Sequence, residues 1–227
     1  MELMDLNEAV KNRHAVRSYK DVAIESEKTA DLQTLISECN KESGLNIQLV
    51  LNEPKAFDSL MAHYGKFSGV KNYIALVGKK GTDTEEKIGY YGEKIALRAQ
   101  QLGLNTCWVA MTFKKITNAF TVNKGEKLFM VISLGYGEVQ GNPHNSKPAE
   151  KVSSSKCEST PEWFIRGVQS ALLAPAAMNQ QKFNFTLESD GKTVSAKSGS
   201  GFYTKTDLGI AKLHFEIAAG KENFNWK

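Results

Sequence analysis

Between Glu85 and Leu102 the apolar residues Ile88, Tyr91, Ile95, Ala99 and Leu102 recur at steps of three and four, the period of one helix face. A helix with so long a stripe must be covered along its length by a second layer, so the chain has to build a shared core around it. Gly103 stands where such a helix stops. The runs at 47–51, 73–77 and 129–134 are short, β-prone and closed by turn residues, as expected of buried strands. Helices are expected at 5–13, 28–39 and 114–120, and alternation of helix and strand places the chain in the α/β or α+β class.

From Gly135 to Pro161 the sequence is rich in Gly, Pro, Ser, Asn and Lys and has no hydrophobic period, so it is expected to run over the surface as a long connection. Beyond it, 163–173 reads as a helix. Phe183, Phe185 and Leu187 alternate with polar residues up to a Ser-Asp-Gly-Lys turn at 189–192, and 193–196 is the returning strand of that hairpin. A helix over 207–219 closes the chain. The connection divides the expected elements into two parts, 1–150 and a shorter 151–227, in one intertwined unit.

The 227 residues are 41% hydrophobic, ample for a packed core, and 29 Lys and Arg are scattered among 25 Asp and Glu. Scattered charge favours small anionic ligands over nucleic acid. Cys39, Cys107 and Cys157 are far apart and lack metal-ligand spacing, so neither a disulfide framework nor a metal site is expected. No apolar stretch reaches the roughly 20 residues needed to span a bilayer, and the N-terminus does not read as a signal peptide. The expected compartment is the cytoplasm, with no membrane partner.

Three segments could carry chemistry. Arg13-His14-Ala15-Val16-Arg17 sets two guanidiniums four residues apart at a helix end, a candidate phosphate clamp because guanidinium donors match phosphate oxygens. A solvated basic surface would show the same spacing. Pro175-Ala176-Ala177-Met178-Asn179-Gln180-Gln181 combines a proline bend, small side chains and amides, which lets backbone approach a planar ligand. An ordinary loop has this composition too. Gly103 to Ala110 follows the striped helix as an extended stretch, and core packing explains Cys107 and Trp108 as well as a ligand would. Cys107 has no local histidine partner, which argues against a nucleophile.

Together these segments resemble the nitroreductase family of FMN-dependent enzymes, and most closely its single-chain branch, in which two halves mimic a dimer. The first segment is similar to the family's Arg-Arg-Ser-x-Arg motif, with Arg13 and Arg17 kept, His14 in second place and Ala15 where serine is usual. The second is similar to Ala-Pro-Ser-x-x-Asn-x-Gln, with Pro175, Asn179 and Gln181 in register and Ala176 in place of serine. Gly103-Leu104-Asn105-Thr106-Cys107-Trp108 looks like the family's Gly-Leu-Gly-Thr-Cys-Trp, and Ser146-Lys147-Pro148 looks like its Arg-Lys-Pro.

The resemblance implies an α+β fold, with a central, mainly antiparallel sheet flanked by helices and an internal pseudo-dimer that allows the chain to be monomeric. It implies that Arg13, His14, Ala15 and Arg17 hold the phosphate and pyrimidine side of FMN, with Lys147 as a second phosphate contact. Pro175, Ala176, Ala177 and Asn179 would cover the ring from the other half. Trp108, Val109, Ala110 and Met111 would turn backbone amides to the flavin edge, and Lys66 would stand beside the ring. The implied activity is hydride transfer from NAD(P)H to an electron-poor acceptor such as a nitroaromatic or quinone, with no catalytic side chain of the protein's own. The alternative, motivated by the alanines at 15 and 176, is a flavin store or sensor without turnover.

Overall fold

The computed structural model describes residues 3–227. Asp5 accepts a hydrogen bond from the Asn7 amide (2.8 Å) and so caps α1, Leu6–Asn12, which ends at Arg13. Helix α2, Ser26–Ser43, stops at Gly44 in the left-handed region. Strand β1, Asn46–Val50, the single-turn-and-a-half helix α3, Leu60–Tyr64, and strand β2, Asn72–Lys79, follow. The striped segment forms α4, Thr84–Gln101, burying Ile88, Ile95, Ala96 and Ala99. Strands β3, Asn105–Val109, and β4, Glu126–Gly135, complete the first part. The second part contains β5, Ser153–Ser155, α5, Glu162–Ala171, β6, Phe183–Leu187, β7, Thr193–Ser198, α6, Thr204–Ala219, and β8, Asn225–Trp226.

Each part supplies one four-stranded sheet. The first has the order β1-β2-β4-β3 and is antiparallel throughout. The second has the order β5-β6-β7-β8, with an antiparallel β6–β7 pair flanked by parallel pairs. Along β2 every residue but the last is buried, because α2 and α4 pack on one face and the cluster around Phe57, Phe67 and Tyr73 on the other. The second core centres on Phe215, whose ring stacks on Phe185 at 4.9 Å between centroids.

The parts join where α6 crosses α4. A Cβ on Gly89 would lie 2.0 Å from the Thr206 carbonyl oxygen, and one on Gly209 would lie 2.0 Å from that of Glu86. The two backbones therefore touch, and only residues without a side chain fit at the crossing.

Three sequence expectations need correction. Residues 114–120 are irregular, with a turn at 117–118, instead of a helix. Phe113, Ile116 and Ala119 imitate a helical period, but they are drawn onto the Phe57 cluster while the Lys114 amide bonds the Ala56 carbonyl (2.7 Å). The 135–161 connection is not wholly a surface loop, since Val152 is fully buried and β5 pairs with β6. The last helix begins three residues before the expected start. Among the described residues no helix is long and apolar enough to cross a membrane.

Candidate functional site

A cavity of about 330 Å³ opens between the two parts, within the usual range for ligand pockets. Its wall contains ten of the residues singled out above: Arg13, Ala15, Arg17, Trp108, Val109, Ala110, Met111, Pro175, Ala176 and Ala177. Segments that lie more than 150 positions apart in sequence thus share one wall because α6 packs on α4.

Arg13 stands at the end of α1, where a cation suits the helix's negative pole, and is only 3% exposed. Its Nε lies 3.2 Å from Glu93 Oε1, yet neither Nε nor Nη1 has an aligned hydrogen-bond acceptor. A buried guanidinium with free donors is a costly arrangement unless something in the cavity satisfies it. Arg17 is exposed at the mouth, its guanidinium 5.8 Å from the centre of the Phe67 ring.

Strand β3 is the edge of its sheet, so its outer side is available. The Val16 amide donates to the Thr106 carbonyl (3.1 Å), which shows that Thr106 faces away from β4. By strand alternation the Trp108 amide faces the same way, and Trp108 and Ala110 both line the cavity. The Trp108 indole Nε1–H donates to Glu93 Oε2 (2.8 Å), which pins the strand from behind. Burial pushes the Cys107 thiol up, with only a partial counter-pull from Arg17 and Arg13, so it is no activated nucleophile.

On the opposite side the proline loop holds an unusual backbone, with Met178, Asn179 and Gln181 all at positive φ. Its fastenings are side chains. The Ala177 amide and the Gln180 Nε2 donate to the two oxygens of Asp207 (3.0 and 2.8 Å), and Gln181 Nε2 donates to the Asn145 carbonyl (2.9 Å). Met111 and Met178 form an exposed apolar rim, 69% and 84% accessible.

Four expected residues stand outside the cavity wall. Lys147 Nζ donates to the Gln180 and Gln181 carbonyls (2.7 and 3.3 Å), fastening the proline loop from the long connection. Asn179 Nδ2 donates to the Asn145 carbonyl (2.8 Å). His14 lies half-buried against the same connection, where burial and the charges of Arg13 and His144 hold its ring below the usual histidine range. Lys66 is exposed at the end of α3 with φ of 61°.

Sequence reasoning missed the floor contributed by α6 and the residue before it: Tyr203, Thr206, Asp207 and Ile210 all line the cavity. Their spacing is that of one helix face, and it would have been visible had the helix been started at 204. Burial raises the Asp207 carboxyl to about 6, against the pull of the Ala177 and Gln180 hydrogen bonds.

Residues 5–219 match the family model described as "Putative TM nitroreductase". The chain belongs to this nitroreductase family. A solved nitroreductase structure from Thermotoga maritima, itself a provisional assignment, superimposes with a TM-score of 0.70 at 22% identity, covering 96% of this chain and 85% of that one. It shares the fold. An FMN-dependent nitroreductase from Clostridium difficile is 21% identical, with a TM-score of 0.47 over 60% of this chain and 90% of its own. No curated protein matches the sequence significantly. Family membership makes the nitroreductase a general oxidoreductase, and the antiparallel sheet flanked by helices is the family's fold.

Proposed function

We propose that the cavity holds FMN and that the chain uses it to pass hydride from NAD(P)H to an electron-poor acceptor such as a nitroaromatic or quinone. The observation that carries this reading is Arg13, which lines the cavity and is buried with its Nη1 free of any partner. A flavin nucleotide offers the anionic and carbonyl acceptors that such a group lacks, so the residues present fit the cofactor. When bound, FMN supplies the two-electron chemistry, and the protein supplies binding, orientation and electrostatics.

Arg13 and Arg17 hold the anionic acceptors, one at the floor and one at the mouth. The outward amide of Trp108 would donate to an acceptor on the cofactor, where a fixed dipole acts without reorganisation. Pro175 to Ala177 would cover the cofactor, and the small side chains of Ala176 and Ala177 would permit close approach. Met111 and Met178 exclude water and contact an apolar acceptor at the rim. Lys147 is not assigned to the phosphate, since its Nζ already holds two carbonyls of the proline loop.

Purified protein should show a flavin visible spectrum or acquire one on titration with FMN, and it should oxidise NADH or NADPH in the presence of a quinone. Arg13→Ala should weaken FMN binding about tenfold to a hundredfold, the size expected for a charge-assisted hydrogen bond. Colourless protein that takes up no FMN would end the proposal. FMN binding without NAD(P)H oxidation would leave a flavin store or sensor.

A further inference from the structure

Behind the cavity lies a buried cluster that the reading above does not use. Glu93, in the middle of α4, and His214, in α6, are both fully buried. Glu93 Oε1 accepts from His214 Nε2 (2.9 Å) and faces Arg13 Nε (3.2 Å), while Oε2 accepts from Trp108 Nε1 (2.8 Å). His214 Nδ1 lies 3.3 Å from the Ser170 carbonyl oxygen on α5. Five elements from both parts of the chain meet at this point.

Neither partner of the His214 ring can donate. A carboxylate and a carbonyl only accept, so the ring satisfies both contacts only with a proton on each nitrogen, as imidazolium. Glu93 stays ionised: burial works against its charge, but Arg13, His214 and Trp108 outweigh it and hold the carboxyl below its ordinary range. One carboxylate then serves two cations. Asp207, the carboxyl in the cavity wall, has both oxygens engaged by Ala177 and Gln180.

We infer that Glu93 and His214 are positioning residues that set the charge Arg13 presents to the cavity. Glu93 holds the guanidinium in place, and His214, donated by the second part of the chain, takes half of that carboxylate's attention. Arg13 is thereby left with an uncompensated positive charge in a region of low polarity, where an unbalanced ion is costly and an incoming anion is correspondingly favoured. The cavity floor selects a ligand that brings negative charge to Arg13. This rests on the reading of the cavity as a flavin site only for the identity of that ligand.

Two measurements on the full chain test it. Nitrogen-15 NMR of labelled histidine at neutral pH, with His214 assigned by its absence in His214→Gln, should show both ring nitrogens protonated. A single protonated nitrogen would overturn the inference. Separately, FMN affinity is measured by fluorescence quenching in the wild type, His214→Gln, Arg13→Ala and the double variant. His214→Gln should weaken binding about tenfold when Arg13 is present and by less than about twofold when it is absent, because its action runs through the guanidinium. Equal losses in both backgrounds would show a merely structural role and sink the proposal. Should the wild type bind no FMN, the cofactor reading fails, and the NMR result still decides the charge assignment.

Discussion

Asp207 is 3% exposed in the first turn of α6, where burial raises its carboxyl to about 6 from an ordinary 3.8. An acid with a raised folded value binds its proton more tightly in the folded state than in the unfolded one. Its contribution therefore weakens stability as pH climbs from about 4 to about 6, by at most about 3 kcal/mol. In Asp207→Asn that share of the slope is absent, so melting temperatures of wild type and variant should converge or cross over this interval, a relative change of roughly 5–10 °C. Parallel melting curves from pH 4 to 6 would refute the assignment. Asp207, Glu93 and His214 were illegible in the sequence for one reason. Charged residues are read as the solvent face of a helix, and these three are buried because their partners come from segments far away in the chain. Arg13 and Pro175 were legible because they sit in motifs whose meaning is local.

Among the elements, the crossing of α4 and α6 sets the geometry of the cavity, since α4 carries Glu93 and α6 carries the cavity floor. Gly89 and Gly209 let the backbones touch, and a methyl group at either would meet a carbonyl oxygen at 2.0 Å. Nothing flexible can give way there, so Gly89→Ala should push the helices apart and cost about 1–3 kcal/mol. For a chain of this size the melting temperature should fall by roughly 3–10 °C, and FMN affinity should fall with it because the floor moves. A thermal scan that places the variant within about one degree of wild type would refute the close-contact account. Periodicity located α4, β6 and most of the remaining elements, since burial on one face dictates it. It failed at 114–120, where apolar residues at helical spacing pack as an irregular segment, and it overlooked α3, whose Leu60, Met61 and Tyr64 face solvent and leave no apolar stripe.

At the scale of the molecule, the proposed division near residue 150 implies that neither part is a flavin protein by itself. Residues on the first side hold Arg13, Arg17 and β3, whereas the proline loop and α6 belong to the second. The second part alone would also expose the α6 face that covers α4, and would leave His214 without the carboxylate it donates to. The chain should be opened in the exposed run at 138–140 and not at 153–155, which is strand β5 of the second sheet. Beyond that point His144, Asn145 and Ser146 are already fastened to the second part through Leu172, Asn179 and Gln181. Fragments 1–140 and 141–227 produced separately should each fail to bind FMN. Produced together they should reassemble and bind it, because the α4–α6 crossing and the Glu93–His214 pair need no covalent link between the parts. Flavin binding by either fragment alone, at an affinity near that of the intact chain, would show that one part holds a complete site and would remove the internal dimer from the account.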